Sequence, residues 1–224
     1  MSKPESKLYI EFYDLSVERF TLNDPVKGIL NNTVYLLAGD TYVDVTDVAK
    51  TMHVRRGRSR ELEQFQAAAA DATLDNRNRY FDPLYADGPY YGSIRPRRAM
   101  QIVTKGVTIY TGQVEDWDLE YEIGGMSRAT VKASDYFVRF NAAQLEDFTG
   151  TAGETTGERI DAVLDAIGFP AGSRIISTGS STLLESNPPY TGGALEYLQI
   201  IELNEPGAFF MAKDGKAKFR GREE

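Results

Sequence analysis

Nine residues in the middle of the chain, Val114 to Glu122 (VEDWDLEYE), leave the backbone little choice. In an extended strand Trp117, Leu119 and Tyr121 fall on one face, and Asp116, Asp118, Glu120 and Glu122 on the other. A helix would wind the acids around every side. A strand with one apolar and one charged face requires a core beneath it and further strands beside it. The flanking sequence supplies them. Met100 to Thr104 and Val107 to Thr111 enclose Lys105-Gly106, a hairpin turn, and Ala129 to Ala133 returns after Gly124-Gly125.

Earlier in the chain, Leu8 to Tyr13, Val34 to Leu37 (closed by Gly39-Asp40 after a loop with Asn31 and Asn32), Tyr42 to Val45 and Met52 to Val54 read as short strands. Strands at this spacing predict a barrel or sandwich rather than βαβ units. The 13 tyrosines, 11 phenylalanines and 20 glycines suit sheets joined by tight turns. Ser134-Asp135 caps a short helix through Phe137, Val138 and Phe140.

The period changes beyond a small polar stretch, Phe148 to Gly153, which reads as a linker. Thr155 and Glu158 have capping-box spacing, and Ile160, Val163, Leu164 and Ile167 form an apolar helical stripe stopped by Gly168 and Pro170. Arg174 to Ser177 is a short strand. Thr191 caps a second helix with Ala194, Leu195, Leu198 and Ile201 inward, ended by Pro206-Gly207. Lys213 to Lys216 then turns an Asp-Gly hairpin between Ala208–Ala212 and Ala217–Phe219. The expected fold is α+β and mainly β: a β-barrel-like domain over residues 1–147, followed by a small α+β domain over 148–224.

Several function classes drop out. The chain has no cysteine, which excludes disulfides and thiolate metal sites, and one histidine, His53, which leaves no partner for a histidine-rich metal centre. Gly150–Gly153 and Gly179–Thr182 match no phosphate-loop or dinucleotide fingerprint, and the serines lack a histidine base. No cofactor and no catalytic site is expected. No apolar run approaches the roughly 20 residues of a membrane span. The start, MSKPESKLYIEF, lacks the apolar core of a secretory signal, so synthesis and folding are expected in a cytoplasm. A net charge of −8 argues against broad binding to nucleic acid or anionic membranes.

Charge is unevenly placed. Nine of the sixteen arginines lie between Arg55 and Arg98, while acids dominate from Glu115 to Glu122 and again after Glu146. Separation of this kind suits self-association through complementary patches, or is simply an uneven solvated surface. Arg55, Arg56, Arg58 and Arg60 lack the interleaved aromatics of a base-stacking site and are followed at once by Glu61 and Glu63. Bidentate pairing with carboxylates across a contact fits them better, as it does Arg95, Arg97 and Arg98. Acids two apart on a strand stand about 6.5–7 Å from one another, too far to share one ion unaided. Asp116, Asp118, Glu120 and Glu122 therefore form either a wet strand face or a strip facing a channel or a neighbouring subunit. Trp117 reads as a core or interface anchor. Tyr80, Phe81, Tyr85, Tyr90 and Tyr91 either pack their Pro/Gly-rich loop onto the barrel or make hot-spot contacts.

The run from Gly57 to Pro83, with GRSRELEQFQ and ATLDNRNRYFDP, the hairpin ending Tyr110-Thr-Gly112, and ERIDAVLDAIGFP together resemble the tail-tip hub or minor tail proteins of long-tailed bacteriophages (the baseplate hub-like family). Two departures stand out. Ala67 to Asp71 occupies the place of a Gly-Thr-Ala-like strand start, and the chain ends at Glu224 where many hubs continue into a further barrel. The resemblance implies a virion structural protein of the tail tip: a ring-like hub, typically threefold, joining the tail tube to distal tip or fibre proteins. Its partners would be further copies of itself (a trimer, or a hexamer in a sixfold distal adaptor), the tube-end adaptor, the tape measure and tip or fibre proteins, with DNA in passage only. Arg55, Arg56, Arg58, Arg60, Arg77, Arg79, Tyr80 and Phe81 are the expected interface residues, and Asp116, Asp118, Glu120 and Glu122 the lumen-facing ones. The rival from another class, a cell-wall-degrading tail enzyme, requires two carboxylates converging in a cleft. A receptor-binding module would require specific binding to host cells.

Overall fold

Strand β1 (Ser6–Tyr13) sends Leu8, Ile10 and Phe12 into the core, every second residue as an extended backbone demands. In this computed structural model residues 5–13, 23–26, 28, 40–57, 64–184, 188–205 and 207–222 are described. The expected strand Val34–Leu37, Gly39, Asn31, Asn32, Arg58, Arg60, Glu61, Glu63 and Pro206 lie outside them. The chain forms two compact units. One comprises residues 1–53, 71–109 and 113–133, the other 54–70, 110–112 and 134–224. The class is α+β and mainly β, and the boundary expected after residue 147 falls within the second unit.

β1 pairs antiparallel with β2 (Asp40–Asp44) on one side and β5 (Ala99–Thr104) on the other. With β3 (Ala49–Arg55), β4 (Ala69–Asp75), β6 (Val107–Glu120) and β7 (Arg128–Ser134) these make a seven-stranded sheet in the order β2-β1-β5-β6-β7-β4-β3. β2 and β3 are consecutive in sequence yet stand at opposite edges. A flat sheet would hold its outer strands about 29 Å apart, six spacings of roughly 4.8 Å. The connection from Asp44 to Ala49 reaches about 18 Å even fully extended, and a 3-10 turn at Thr46–Val48 shortens it. The sheet must therefore curl until its edges approach, and it is barrel-like for that reason. Asp44 holds the turn by accepting from the Thr46 N–H at 3.0 Å and the Thr46 hydroxyl at 2.5 Å.

β6 contains a change of parity. Tyr110, Gly112 and Val114 are buried, whereas Trp117 and Leu119 are the inward residues farther along. Two acids, Glu115 and Asp116, separate Val114 from Trp117, and the shift occurs there. Both Arg97 and Arg98 bond to Val114 (Arg97 N–H to Val114 O, 2.6 Å; Val114 N–H to Arg98 O, 2.7 Å), so two residues face one. Arg97 is left-handed at φ 67°, and the Asp116 carboxylate accepts from the Trp117 N–H at 2.9 Å. The doubled residues are Arg97 and Arg98, so this β-bulge lies in the segment leading into β5, opposite Val114.

In the second unit α1 (Phe137–Ala142), α2 (Thr156–Ala166) and α3 (Ala194–Asn204) accompany two small sheets. β8 (Gln144–Phe148) pairs with β10 (Tyr190–Gly193), and β12 (Ala217–Arg220) lies between β11 (Ala208–Met211) and β9 (Arg174–Ile176). The core combines Phe137, Phe140, Ile160, Leu164, Leu198 and Phe209, all at most 2% exposed. Thr191, expected to cap α3, instead lies within β10 and accepts from the Asp147 N–H at 3.1 Å, so Gly193 precedes the helix without a side-chain cap. The expected linker is also occupied. Gly150 is packed so closely on the Arg159 guanidinium that a Cβ would collide with it, and Arg159 donates to Thr151 O at 2.9 Å.

The capping box of α2 forms as read from the sequence. Glu158 N–H donates to Thr155 Oγ1 at 3.3 Å while Glu158 Oε2 accepts from the Thr155 N–H at 2.8 Å. Thr155→Ala is expected to lower stability by about 1 kcal/mol and Thr155→Ser by a few tenths at most. Urea denaturation monitored at 222 nm checks it, and equal losses for both would remove the cap as the cause.

Candidate functional site

Residues 76–93 leave β4 and wind through successive turns before β5 begins. Each closes by an N–H to O bond three residues back: Arg79 to Asn76 at 2.9 Å, Asp82 to Arg79 at 3.1 Å, Tyr85 to Asp82 at 3.1 Å, Gly88 to Tyr85 at 3.0 Å and Tyr91 to Gly88 at 3.2 Å. The loop is long but ordered, because its backbone groups satisfy one another. Asn76, 1% exposed, starts it by accepting from the Phe81 N–H at 3.0 Å.

Side chains then fasten the spiral to the barrel. Phe81 is 1% exposed and joins Phe12, Tyr90 and Trp117, with ring centroids 4.1 Å apart for Phe12–Tyr90, 5.3 Å for Phe81–Tyr90 and 6.0 Å for Phe81–Trp117. Of the two aromatics expected to make contacts, Phe81 thus faces inward and Tyr80 stays open at 42% exposure. Tyr91 and Leu84 of the same loop are also exposed.

The two arginines of this segment are held rather than loose. Arg77 grips Asp75 through Nε (2.9 and 3.0 Å) and Nη2 (2.6 Å), and Lys50 Nζ approaches the same carboxylate at 3.1 Å. The Arg77 guanidinium and N–H, with Lys50, hold the Asp75 carboxyl well below the usual range. Arg79, left-handed at φ 59°, donates to Asp82 at 3.0 and 2.7 Å and lies 5.2 Å over the Tyr85 ring. Burial pushes the Asp82 carboxyl up, but the Leu84 N–H, Arg79 and the Tyr121 hydroxyl outweigh it and hold it below its ordinary value. Both guanidiniums are fixed by one carboxylate each and keep an exposed side. Fixed, partly exposed arginines lose little freedom on meeting a partner. Open grooves of about 440 and 420 Å³ run past Arg77, the first between Lys50, Asp75, Arg77 and Arg128, the second reaching Asp47 and Tyr80.

Of the other expected interface residues, Arg55 ends β3 and Arg56 follows it, both exposed, while Arg58 and Arg60 are outside the described residues. Arg95 and Arg97 are exposed, and Arg98 is buried. Asp116, Asp118 and Glu120 are exposed on β6, and Glu122 is exposed beyond the end of the strand, so the expected strip of four acids is only partly a strand face. Asp118 has a cross-strand neighbour in Lys132 at 3.8 Å. Trp117 is half-buried and donates from Nε1 to Arg95 O at 3.3 Å. Among the described residues no group of three or more acidic or histidine side chains could hold a metal ion, and no helix is long and apolar enough to cross a membrane.

The sequence did not reveal the turn spiral. Its signal, an acid, Asn or Gly recurring at Asn76, Asp82 and Gly88, is faint. It also missed Glu205, the strongest polar site of the second unit. This carboxylate is 1% exposed and accepts from Thr156 Oγ1 (2.5 Å), Ser180 N–H (2.8 Å), Ser181 N–H (3.2 Å) and Arg222 N–H (3.1 Å). Its donors come from three separate places in the chain.

The fold is one shared with phage tail proteins. The structure is similar to the 43 kDa tail protein of prophage MuSo2 from Shewanella oneidensis, with a TM-score of 0.54 and 14% identity, covering 97% of this chain and 54% of that one. It is similar to the prophage tail protein gp18 of Listeria monocytogenes, with a TM-score of 0.50 and 9% identity over 97% of this chain and 51% of the other. A chain of the lidded Francisella PdpA–VgrG complex matches at a TM-score of 0.50 and 10% identity, over 98% of this chain and 28% of its own. The chain therefore spans about half the length of the tail proteins it matches. No family model matches the sequence, and no curated protein matches it significantly.

Proposed function

We propose that this chain is a structural component of a phage tail, a ring-forming hub that joins the tail tube to distal tip or fibre proteins. The observation that supports the reading is the fold shared with two prophage tail proteins along 97% of this chain. The surface agrees with it. Arg77 and Arg79 are each clamped by a carboxylate beside an exposed Tyr80, the kind of preorganised cationic and aromatic patch that binds a protein surface. Arg55, Arg56, Arg58 and Arg60 are the other arginines proposed for an interface, and Phe81 anchors the loop that carries Tyr80 from within. The face of Asp116, Asp118, Glu120 and Glu122 is the candidate lumen surface, whose charge would repel passing DNA.

The experiment is light scattering of the purified protein across concentration and salt. A trimer that loosens as ionic strength rises toward about 1 M, where the Debye length shrinks to about 3 Å, is the expected result. A hexamer would replace the hub by a sixfold adaptor. A monomer at every concentration would overturn self-association as the mechanism.

A further inference from the structure

The groove of about 440 Å³ beside Arg77 has an uneven charge. Lys50, Arg77 and Arg128 line it, and Asp75 is the one carboxylate among its lining residues. Strand pairing gathers them on the outer side of the sheet. Ala72, Leu74, Ala129 and Val131 point into the core, which turns Thr73 and Asp75 of β4 and Arg128 of β7 outward. The Thr73 and Thr130 hydroxyls meet at 3.5 Å, and Lys50 of β3 reaches Asp75 at 3.1 Å. The groove of about 420 Å³ shares Lys50, Asp75 and Arg77 and runs on to Tyr80, so the two form one depression passing Arg77. All of these residues belong to the first unit.

The cations have donors to spare. Arg77 bonds Asp75 through Nε and Nη2, and its Nη1 makes no hydrogen bond among the described residues. Arg128 is exposed and has no carboxylate partner among the described residues. Met126, also exposed, gives the groove an apolar wall.

We propose that this depression receives an extended acidic segment of a partner protein, with an Asp or Glu side chain on the cations and a neighbouring apolar side chain on Met126. A guanidinium held by one carboxylate still offers its remaining N–H groups to a second, through charge-assisted bonds. Thr51, Thr73 and Ser127 supply hydroxyls to the peptide groups between. The volume is that of a binding cleft, which usually holds about 300–1,000 Å³. The lining disfavours a uniformly charged polymer such as DNA. Asp75 in both grooves and Asp47 in the second repel each phosphate, whereas a polypeptide can lay neutral amides over them. This chain's own row of acids, Asp116, Asp118 and Glu120, is built into β6 and is not free to enter a cleft, so the occupant is a different protein. The inference rests on the reading of Arg77 as an interface residue and does not require the chain to form a ring.

The test is fluorescence anisotropy of the full chain with a labelled synthetic peptide, two glutamates flanking a leucine in a glycine–serine frame. Saturable binding is expected, at least about tenfold weaker when glutamine replaces both glutamates. Arg128→Ala and Arg77→Gln should each weaken it by about fivefold or more, and Met126→Ala by about threefold. Lys213→Ala removes one exposed charge from the second unit and should leave binding unchanged. Equal affinity for the glutamine peptide, or an equal loss in Lys213→Ala, would overturn the site. Tighter binding of a ten-residue thymidylate strand, abolished by Arg128→Ala, would overturn it in favour of phosphate recognition. No saturation up to about 1 mM peptide would overturn it too. Light scattering of the same samples separates the two readings. An oligomer that binds no peptide and comes apart in Arg128→Ala would give the groove to a second copy instead. Peptide binding by a protein that is monomeric at every concentration would uphold the acidic-segment site and remove the ring.

Discussion

Replacing Glu205 with alanine is expected to lower the stability of the second unit by about 3–5 kcal/mol, the cost of stripping a buried charged acceptor from its donors. Thr156 Oγ1, Ser180 N–H, Ser181 N–H and Arg222 N–H would all be left without the carboxylate that now receives them. Gly179, left-handed at φ 77°, packs its Cα against this carboxylate and Thr156 so closely that no side chain fits there, so the surrounding loop has little room to collapse into the gap. Glu205→Gln keeps the volume and part of the bonding and should lose less. Guanidinium denaturation of the three proteins decides the matter, and a loss below about 1 kcal/mol for the alanine variant would show that water replaces the carboxylate at little cost.

The same residue makes stability depend on pH. Burial pushes the Glu205 carboxyl up, but the Thr156 hydroxyl and the surrounding N–H groups prevail and bring it down to about 2 from an ordinary 4.5. The unfolded chain therefore takes up the proton first as pH falls. The stabilisation is complete above pH 4.5, decreases below it, and is gone once the pH has passed through the folded value near 2. Asp135 acts in the opposite direction. Its burial raises the carboxyl to about 6 from 3.8, although the Ala68 and Phe137 N–H groups donate to it at 2.9 and 3.0 Å. Ionisation is harder in the folded unit, so stability decreases as pH rises from 3.8 to about 6. Glu205→Gln should flatten the acid limb of the curve and Asp135→Asn the limb between those two values.

Phe81→Ala is expected to cost about 3–5 kcal/mol in the first unit, the usual range for removing a buried aromatic ring. The ring holds the spiral of residues 76–93 against Phe12, Tyr90 and Trp117, so its loss should also free Arg79 and Tyr80 from their present positions. The single tryptophan, with its ring centroid 6.0 Å from that of Phe81, gives a direct readout. Its emission should shift to the red in the folded variant, and denaturation followed at that wavelength should show the lowered midpoint. An unchanged midpoint with unchanged emission would mean that the other three rings hold the spiral alone.

Much of the architecture could be read from periodicity, because where a core exists the strand alternation and the helical stripe are direct records of burial. β1, the β5–β6 turn, α2 with its Thr155 cap and the Asp-Gly hairpin all follow from that rule. The acidic face of Asp116, Asp118 and Glu120 on β6 was legible too, but the change of parity between Val114 and Trp117 was not, because the stretch reads in sequence as one unbroken alternation. What escaped was set by tertiary partners. β8 and β10 are short, and the glycines of β10 carry no pattern. Thr191 looks like a cap until Asp147 is placed beside it. Phe81 cannot be told from Tyr80 by type, and only the stacking with Phe12 and Tyr90 separates an anchor from a contact residue. Glu205 is one acid among many in sequence, because its donors are gathered from positions 156, 180, 181 and 222.

The order of strands around the barrel has a consequence for how the chain reaches its fold in time. β5, β6 and β7 are joined by short connections and can zip together within microseconds of being made, as local hairpins do. β1 cannot meet β5, nor β4 meet β7, until those later strands exist, and these two junctions span some ninety and sixty residues of chain. On the ribosome β1 therefore waits with one side bare while most of the first unit is still being made. Closure is a late event that joins pieces formed separately, so substitutions at the β1–β5 and β4–β7 junctions should slow refolding more than equally destabilising ones inside the β5–β6–β7 meander.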